Sequence, residues 1–449
     1  MDKLQEILSG RQLSLAKLVS LGVTKIEDNT IVSRQALSLK AGCFTCQRCG
    51  FIGRAKDHEL TADRFYCPNC IHLGRLTTAD TLYSIPEANN FKKLSKTPLV
   101  KRLVLSKWQE KCALDLIFSF EKRTDRLLWA VTGAGKTEML YPVLEKALLS
   151  GARICIATPR VDVCNELYPR ICEAFPKVKT TLLYHESGQK YEYTQLCVCT
   201  VHQLFNFYHA FDLLIIDEID AFPYVDDKSL HFATKNAKKL DGCTLFLTAT
   251  PNKAYLQKIK HHKLEVSYLP LRYHMHFLPE ITLLKVTSLK QAVKRLAKSH
   301  LKKWAKNNKP FLVFVPKISL LSQVLAEFRQ TLPNKRGESI YSADENRFKK
   351  VQALRDNELD YLITTTILER GITIKSLNVI VLFAESETFT KTSLVQIAGR
   401  VGRAKSDPKG DVIFCYRQMQ TKLQDAKKEI KQSNRSAKRL LANEEMFTM

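Results

Sequence analysis

Residues 128–140, LWAVTGAGKTEML, have the types and the spacing of a loop that holds a phosphate. Gly133 and Gly135 allow the backbone to point successive N–H groups at a phosphate, and the dipole of a helix after the loop favours the same negative charge. Lys136 is expected to reach the β- and γ-phosphates of a nucleotide, and the Thr137 hydroxyl is expected to bind Mg²⁺. A chance glycine-rich turn has the same pattern, so the prediction depends on residues further along the chain.

An apolar strand at residues 213–220, LLIIDEID, ends in adjacent carboxylates. Asp217 at the strand tip can hold Mg²⁺, and Glu218 can orient or deprotonate an attacking water. Acidic turns after buried strands are common, but this one comes after a phosphate loop, which favours nucleotide hydrolysis. The next strand ends in Thr248-Ala249-Thr250, whose hydroxyls can couple the nucleotide state to movement of a second domain, although the tripeptide alone is a weak signal.

Two arginines further along the chain supply positive charge, opposite in sign to that of the carboxylates. Arg400 and Arg403 lie in residues 396–403, QIAGRVGR, where one helical face can present both. Guanidinium groups are rigid and permanently charged, which suits the transition-state charge on a γ-phosphoryl group. Arginines near a helix are often only surface charge, but the glutamine and glycines around these two favour a site. Before them, a loop after a predicted strand can touch both nucleotide and nucleic-acid backbone; it contains Thr365, Glu369, Arg370 and Gly371.

Four cysteines near the N-terminus have the spacing of two zinc knuckles. They are Cys46, Cys49, Cys67 and Cys70. Four thiolates leave no open position on the ion, so a structural zinc site is expected, with unconnected cysteines as the alternative. Cys43 is a surplus thiol that can compete as a ligand, and His58 and His72 are predicted to be ordinary surface histidines.

These side chains need a scaffold that positions strand ends, and the apolar runs of the chain predict one. Strand-like runs lie at residues 127–131, 153–158, 180–185, 195–200, 212–217, 243–250, 310–316, 361–366, 378–383 and 410–416. Helix-like segments separate them, which is typical of βαβ units in a parallel sheet covered on both faces. A break at residues 269–280 predicts two α/β domains in tandem, joined near residue 275.

The order of domains can be predicted from these segments. An N-terminal segment of short helices, with room for a small strand, occupies residues 1–40, and the zinc-binding module comes next, at residues 41–75. A polar linker at residues 76–100 leads to the α/β domains, residues 101–274 and 275–430, and a basic tail occupies residues 431–449.

Residues 289–306 predict a helix with an apolar face and a row of lysines. Leu289, Val293, Leu296 and Trp304 fall on one face, and lysines recur every fourth residue on another. The lysine row can face phosphates, but a solvated face of an ordinary surface helix is favoured. Residues 417–449 are charged and helix-prone, and part of this tail is expected to be disordered.

Length and composition set limits on these predictions. A chain of 449 residues suggests two or three domains, and its apolar content of 45% is typical of a soluble globular protein. Without a membrane-length apolar run or a signal-peptide core, the protein is expected to be cytoplasmic, with its 13 cysteines reduced or bound to metal. The net charge of +25 favours a polyanionic partner such as nucleic acid, with general solubility as the alternative.

The order of these motifs resembles superfamily 2 helicases over about residues 101–420. More narrowly, the chain resembles the ComFA family, late-competence ATPases of Gram-positive bacteria that are needed to take up transforming DNA. That family places a four-cysteine zinc module ahead of two RecA-like domains, and residues 158–170, 200–207, 271–279 and 365–374 add to the likeness. The restart helicase PriA is similar in residues 132–138, but its zinc-binding cysteines interrupt the second RecA-like domain.

The resemblance implies a role for each matching residue. For ATP it implies Gln109, Thr132, Gly133, Ala134, Gly135, Lys136, Thr137, Glu369 and Gly371, with Gln109 a weak indication of adenine. It implies Mg²⁺ at Thr137 and Asp217, catalysis by Lys136, Asp217, Glu218, Arg400 and Arg403, and coupling through Thr248, Ala249, Thr250 and Gln396. It implies contact with the DNA backbone at Arg160, Thr200 and Thr365. The alanine at position 130, where the standard loop has glycine, occurs widely among helicases.

By resemblance, the protein is a DNA-stimulated ATPase that translocates single-stranded DNA during transformation. ATP, Mg²⁺ and Zn²⁺ are the expected cofactors. The expected partners are single-stranded DNA and other competence proteins at the uptake channel, with a peripheral place at the inner face of the membrane. A PriA-like restart helicase, a nucleotide-gated DNA clamp and an RNA helicase stay open as alternatives, and the zinc module can either bind DNA or brace the first RecA-like domain.

Overall fold

The computed structural model describes residues 2–445 apart from residues 24, 27, 62–63, 95, 102–103, 186–190 and 371–373. The chain divides into two compact units. The first unit comprises residues 1–129 and 137–267, and the second comprises residues 130–136 and 268–449, so the phosphate loop groups with the second unit. Within the described ranges, no helix combines the length and the apolar character that crossing a membrane requires.

Short strands and two small helices form the N-terminal part of the first unit, whereas the sequence predicts short helices with room for one small strand in residues 1–40. The elements are α1 (Lys3–Leu8), β1 (Leu13–Ser14), α2 (Leu15–Ser20), β2 (Val32–Gln35), β3 (Leu37–Lys40), β4 (Cys43–Cys46), β5 (Ile52–Arg54), β6 (Glu59–Thr61), β7 (Arg64–Phe65) and β8 (Thr81–Ser84). They make sheets of order β1-β8-β2, β3-β4-β5 and β6-β7. Where the sequence predicts a linker, β8 is thus the central strand of a sheet, because Leu82 has a buried place between β1 and β2.

A seven-stranded sheet forms the core of the first α/β region. Its elements are α3 (Lys107–Lys122), β9 (Arg126–Ala130), α4 (Lys136–Leu149), β10 (Ile154–Thr158), α5 (Val161–Ala174), β11 (Thr180–Leu183), β12 (Leu196–Thr200), β13 (Phe211–Ile216), α6 (Lys228–Ala237), β14 (Lys238–Thr248), α7 (Lys253–Lys260) and β15 (Glu265–Leu269). The strand order is β11-β12-β10-β13-β14-β9-β15, and the pairs from β11 to β9 are parallel. The central strands are buried on both faces, which explains their continuous apolar runs.

A six-stranded parallel sheet forms the core of the second unit. Its elements are β16 (Ile281–Lys285), α8 (Leu289–Leu296), α9 (Lys302–Lys306), β17 (Phe311–Phe314), α10 (Leu321–Thr331), β18 (Gly337–Ile340), α11 (Arg347–Arg355), β19 (Tyr361–Thr364), β20 (Asn378–Val381), α12 (Lys391–Ala398), β21 (Val412–Tyr416) and α13 (Thr421–Glu445). The strand order is β16-β21-β20-β17-β19-β18. The prediction of two parallel-sheet α/β domains behind a small four-cysteine module is confirmed.

Two segments predicted to be helical are helical in the structure, and one of them is interrupted. In the segment predicted as one helix, a π-helical turn, Ala297–Leu301, separates α8 from α9. As predicted, the apolar residues, including Trp304, are buried and the lysines face solvent. The charged tail, predicted to be helix-prone and partly disordered, forms α13 over Thr421–Glu445, and residues 446–449 lie outside the described residues. Leu423, Ala426 and Ile430 are buried on α13, and Glu429 pairs with Lys391 of α12 at 2.5 Å. Burial of this apolar face stabilises α13, because the charged residues of the helix provide no packing of their own.

A buried ion pair attaches the N-terminal part to the seven-stranded sheet. The Arg153 guanidinium, at the start of β10, pairs with the carboxylate of Glu87, and both side chains are almost completely buried. Arg153 also donates to the carbonyl oxygen of Ser9 at 2.9 Å and to the hydroxyl of Tyr191 at 2.7 Å. Burial works to lower the pKa of Arg153, but Tyr191 and Glu87 together raise that pKa above its usual value. The pair therefore stabilises the docking of Ser9 and Glu87 onto β10.

Removing the charge of Glu87 should destabilise the first unit strongly. In the Glu87→Gln variant the Arg153 guanidinium stays buried without a counter-charge, and we expect the free energy of unfolding to fall by about 3–5 kcal/mol. Urea denaturation followed by circular dichroism measures the change. Glu121→Gln is the matched control, because Glu121 and Lys146 form an exposed pair at 2.8 Å whose loss should cost under about 1 kcal/mol. Equal stabilities of the two variants would contradict the anchoring role.

Candidate nucleotide site and metal centre

The predicted phosphate loop connects β9 to α4. Gly133 and Gly135 both have φ of +79°, a left-handed conformation that glycine adopts at no steric cost. Lys136 is the first residue of α4, and Thr137 is the second. Backbone N–H groups in a left-handed turn before a helix N-terminus can bind phosphate oxygens, so this loop fits a nucleotide phosphate.

The acidic box comes directly after β13. The backbone N–H of Asp217 bonds to the carbonyl oxygen of Ala157 at 2.9 Å, and the N–H of Glu218 bonds to the Asp217 carboxylate at 2.8 Å. Glu218 has φ of +55°, which is rare for a residue with a side chain. Such backbone strain is typical of functional positions, where the surrounding structure holds a side chain in one direction. The carboxyl end of β13 thus presents two oriented carboxylates.

The last carboxylate of the box binds the Thr-Ala-Thr segment. Asp220 accepts hydrogen bonds from the Thr248 hydroxyl at 2.7 Å and from the Thr250 hydroxyl at 2.6 Å, and all three residues are buried. Trp129 donates from its indole N–H to the carbonyl oxygen of Ala249 at 3.1 Å. Sequence reasoning missed the role of Asp220, although its alternation with Glu218 in a four-residue acidic box was a usable signal. A shift of either segment in the first unit must therefore move the other.

The Asp220→Ala variant should lose this connection. It leaves two buried hydroxyls without their acceptor, so we expect the free energy of unfolding to fall by about 3 kcal/mol. If the chain has the DNA-stimulated ATPase activity that the resemblance implies, we expect that stimulation to disappear in this variant. Denaturation curves and ATPase rates with and without DNA measure both effects. Asp226→Ala, an exposed aspartate in the same segment, is the control and should change neither quantity. Full DNA stimulation in a destabilised Asp220→Ala protein would limit Asp220 to a structural role.

The predicted arginine pair lies beyond the end of a helix. Helix α12 ends at Ala398, and Gly402 has φ of +69°, so Arg400 and Arg403 lie in the turn after it. The prediction that one helical face presents both arginines is therefore wrong, because α12 ends before Arg400 and the left-handed Gly402 lies between the two arginines. Arg400 is buried and Nε donates to the carbonyl oxygen of Glu369 at 2.9 Å. Arg403 lines an open cavity of about 550 Å³ together with Tyr273, Lys375 and Lys405.

Glu369 organises the loop before α12. Its carboxylate accepts a hydrogen bond from the Ser393 hydroxyl at 2.6 Å and lies 3.6 Å from Nε of Arg370. Gln396 is also buried, on α12. Through its carbonyl oxygen, Glu369 holds Arg400 in place within the second unit, whereas Gly371 lies outside the described residues.

Arg272 is a buried residue of the second unit that lies in none of the predicted site motifs. Its guanidinium donates to the carbonyl oxygens of Thr132 at 3.2 Å, Gly399 at 3.1 Å and Gly402 at 2.7 Å. Burial, and then the charge of Arg403, lower the pKa of Arg272 to about 9. A Cβ added at Gly399 would lie 1.9 Å from the Thr132 hydroxyl oxygen, so only glycine fits there. Arg272 therefore joins the phosphate loop to the arginine-bearing turn.

The remaining predicted contacts lie at strand and helix ends. Gln109 is buried on α3, and its side-chain oxygen accepts from the N–H of Ser106 at 2.9 Å in a capping box. Arg160 precedes α5 just after β10, and Thr200 ends the adjacent parallel strand β12, so both lie at one edge of the first sheet. Thr365 comes directly after β19 in the second unit.

The four predicted zinc ligands come together in the N-terminal part. All four side chains are buried and their sulfur atoms lie within 4.8 Å of one another. Sγ of Cys46 lies 3.7 Å from Sγ of Cys70, and Sγ of Cys49 lies 3.5 Å from Sγ of Cys67. Thiolates on tetrahedral zinc, with bonds of about 2.3 Å, lie about 3.8 Å apart, so the residues fit this ion.

Groups around the four cysteines orient the centre. Arg48 donates from Nε to Sγ of Cys70 at 3.3 Å, and hydrogen bonds from the other thiols, together with the charge of Arg48, lower the pKa of Cys70. Cys43 lies outside the group and is only partly buried. His72 is exposed as predicted, but His58 is half-buried with its ring edge-on to Phe44. The prediction of a surface histidine at position 58 is therefore wrong.

The zinc module packs on the first α/β region. Gly50, with φ of +71°, approaches α6 so closely that an added Cβ would lie 2.5 Å from the ring of Phe232. The side-chain amide of Asn69 donates to the Ser229 hydroxyl at 3.1 Å. The four cysteines share one hydrophobic cluster with core residues of the sheet, among them Leu214. Within the first unit, the module thus packs against α6 and shares its core with the sheet.

Comparisons with known protein families agree with this architecture. Residues 1–84 match the competence protein ComFA N-terminal domain, residues 102–253 match the family of the type III restriction enzyme res subunit, and residues 289–405 match the helicase conserved C-terminal domain. Among solved structures, S. cerevisiae Dbp5 bound to RNA and ADP BeF3 superposes with a TM-score of 0.55 at 15% identity, over 73% of this chain and 88% of that one. Mycobacterium smegmatis helicase Lhr bound to ssDNA and AMP-PNP gives 0.54 at 13% identity, over 74% and 50%. These likenesses show the helicase fold.

Two relatives match almost the whole chain. Competence protein ComFA of Bacillus subtilis is 39% identical over 426 residues, which cover 92% of this chain and 90% of that protein. Competence protein ComFA of Streptococcus pneumoniae is 39% identical over 408 residues, which cover 90% and 93%. With a helicase-like ATPase fold behind a four-cysteine module, the chain belongs to the ComFA family of competence proteins.

Proposed function

We propose that this protein is an ATP-driven motor that moves along single-stranded DNA and drives transforming DNA across the cytoplasmic membrane during competence. The observation that carries the proposal is the phosphate loop, in which two left-handed glycines precede Lys136 at the start of α4. Family membership supports the connection to competence. The net charge of +25 supports a polyanionic substrate.

In this proposal one group of residues binds the nucleotide and Mg²⁺, and another group promotes the hydrolysis of ATP to ADP and phosphate. The loop N–H groups and Lys136 bind the phosphates, and Thr137 and Asp217 would hold Mg²⁺, which neutralises phosphate charge when bound. Glu218 orients the attacking water and accepts its proton. Arg400 and Arg403 stabilise the negative charge that develops on the γ-phosphoryl oxygens, and Gln109 contacts the base.

Nucleic acid is bound through its backbone. Arg160 and Thr200 lie at one edge of the first sheet, and Thr365 lies just beyond a strand of the second, positions from which side chains can reach phosphate oxygens. Backbone contacts make binding independent of sequence and sensitive to salt. Asp220, through Thr248 and Thr250, couples the acidic box to the rest of the first unit. We place the protein in the cytoplasm, peripherally at the inner face of the membrane, with other competence proteins as partners.

The decisive experiment measures ATP hydrolysis by the full chain with no nucleic acid, single-stranded DNA, forked duplex DNA or RNA. We expect strong stimulation by single-stranded DNA, weakening as salt rises. A translocation assay, displacement of a protein block from single-stranded DNA, then tests movement. Preference for forked DNA would favour a PriA-like restart helicase, and preference for RNA would overturn the substrate. Slow hydrolysis that no nucleic acid stimulates would favour a nucleotide-gated clamp.

A further inference from the structure

Three cysteines of the seven-stranded sheet form a second sulfur cluster, which the proposed motor does not use. Cys155 lies in β10, and Cys197 and Cys199 lie in the neighbouring strand β12. The parallel register pairs Cys155 with Cys197, and because side chains alternate along a strand, Cys199 lies on the same face as Cys197. All three side chains are buried, and their sulfur atoms lie within 4.8 Å of one another. We call these three residues the thiol cluster.

The spacing within the thiol cluster suits a metal ion. Sγ of Cys155 lies 3.5 Å from Sγ of Cys199, the same distance that separates Cys49 from Cys67 in the four-cysteine centre. Sulfurs 3.5 Å apart can both reach one ion with bonds of about 2.3 Å, and Sγ of Cys197 lies within 4.8 Å of each of them. Buried thiols also pack as small apolar groups, so spacing alone does not require a metal. The charge of a nearby arginine is an independent indication.

Arg11 brings to this region a positive charge that no carboxylate among the described residues balances. Its side chain is 6% exposed, its guanidinium lies 3.9 Å from the ring centre of Tyr191, and Nη1 donates to the carbonyl oxygen of Ile7 at 3.3 Å. In the part of the chain that the structure describes, the buried Nε has no hydrogen-bond partner. Burial lowers the pKa of Arg11, and the titratable groups that act on that pKa are Tyr191, Arg153 and Cys197. None of these is a carboxylate.

The neighbouring Arg153 has the counter-charge that no described residue provides for Arg11. Arg153 is equally buried, but it has the carboxylate of Glu87 as its counter-charge. A buried guanidinium without a counter-charge is costly, because the desolvation of the ion is not compensated. Three thiolates around a divalent cation carry a net charge of minus one. Such a centre beside Cys197 would balance the single charge of Arg11.

We propose that Cys155, Cys197 and Cys199 bind a divalent thiophilic cation, with Arg11 as the counter-charge. Zinc is the physiological ion of this class, and cadmium has the same preference for sulfur. The ion holds β10 and β12 together, and through Arg11 it attaches the N-terminal part to the first sheet. The proposal concerns a second metal centre, separate from the four-cysteine centre, and does not depend on ATP hydrolysis or DNA transport.

The test counts metal ions in the full chain purified from zinc-supplemented cells. Native mass spectrometry and elemental analysis should find about two zinc ions per wild-type chain, one for each sulfur group. Cys197→Ala should retain about one zinc ion, in the four-cysteine centre. Cys67→Ser should lose the ion of the four-cysteine centre, so the two variants identify which ion belongs to which group. Cys243→Ala is the matched control: Cys243 is buried in β14 of the same sheet, lies outside both sulfur groups, and its substitution should leave both ions bound.

A second variant tests the counter-charge without touching a ligand. Arg11→Met should weaken cadmium binding at the thiol cluster roughly 10- to 100-fold, read from the thiolate-to-cadmium absorption of the cluster during chelator competition. Arg34→Met is the control, because Arg34 also lies over a tyrosine ring, that of Tyr208 at 3.4 Å, but does not act on the cluster.

Two results would overturn the proposal. One is a wild-type chain, folded by circular dichroism, that holds about one zinc ion, all of it lost in Cys67→Ser. The other is an unchanged metal count in Cys197→Ala. Because the wild-type count requires no substitution, a failure of Cys197→Ala to fold leaves the proposal testable, and the cadmium competition with Arg11→Met decides it in that case.

Discussion

ATP hydrolysis should fall by roughly 10²- to 10³-fold when Lys136 is replaced by alanine. Lys136 begins α4 directly after two left-handed glycines, where an ammonium group can reach the β- and γ-phosphates. The substitution removes a positive charge that the proposed mechanism needs most in the transition state, so kcat should fall more than KM rises. Steady-state hydrolysis with saturating single-stranded DNA gives both constants.

Lys146→Ala is the matched control for Lys136→Ala. Lys146 lies on the same helix and forms an exposed pair with Glu121, so its loss should leave hydrolysis unchanged. Glu218→Gln should reduce hydrolysis while ATP binding persists, because the amide keeps the shape of the side chain but cannot accept the proton of water. If either Lys136→Ala or Glu218→Gln retained DNA-stimulated hydrolysis, our assignment of the site would be wrong.

Replacement of Cys67 by serine should release zinc from the four-cysteine centre and unfold the module around it. Binding of a structural zinc ion is worth about 10–16 kcal/mol in zinc-finger peptides, far more than the hydrophobic contacts of so small a module can replace. Zinc content, and hydrogen exchange of the strands β3 to β5, measure the two effects. Since the module packs against Phe232 and Ser229, exchange in α6 should also increase.

Cys43→Ser separates this effect from a general sensitivity to loss of a thiol. Cys43 lies at the start of β4 but outside the four-cysteine group, so the variant should keep its zinc and its exchange pattern. DNA binding by Cys67→Ser then distinguishes the two roles considered for the module. Weaker DNA binding with an intact α6 indicates a DNA-binding role, and looser α6 indicates bracing. Loss of zinc with neither change would falsify both roles.

Short-range patterns explain why so much could be predicted. The phosphate loop, the acidic box and the paired cysteines each depend on residues a few positions apart, where spacing dictates which groups can meet. Alternation of apolar runs with helical segments predicts parallel sheets because only burial on both faces tolerates such continuous runs. The fold class predicted from these patterns is confirmed, and so is the ComFA family that the resemblance implied. The four cysteines come together as predicted, while zinc binding and the roles of the nucleotide residues stay predictions.

Contacts between residues far apart in the sequence could not be predicted from it and are seen only in the tertiary structure. Strand register decides that Cys155 meets Cys199, and the docking of the N-terminal part decides that Glu87 meets Arg153, across separations where sequence spacing carries no geometric information. Asp220 and Thr248 come together because β13 and β14 are parallel neighbours with their carboxyl ends at one edge. Arg272 resembles any exposed arginine in the sequence, and only the folded backbone brings several carbonyl oxygens to one guanidinium. The sequence by itself thus determined the local chemistry and the type of sheet, and the tertiary structure decided which of those groups are partners.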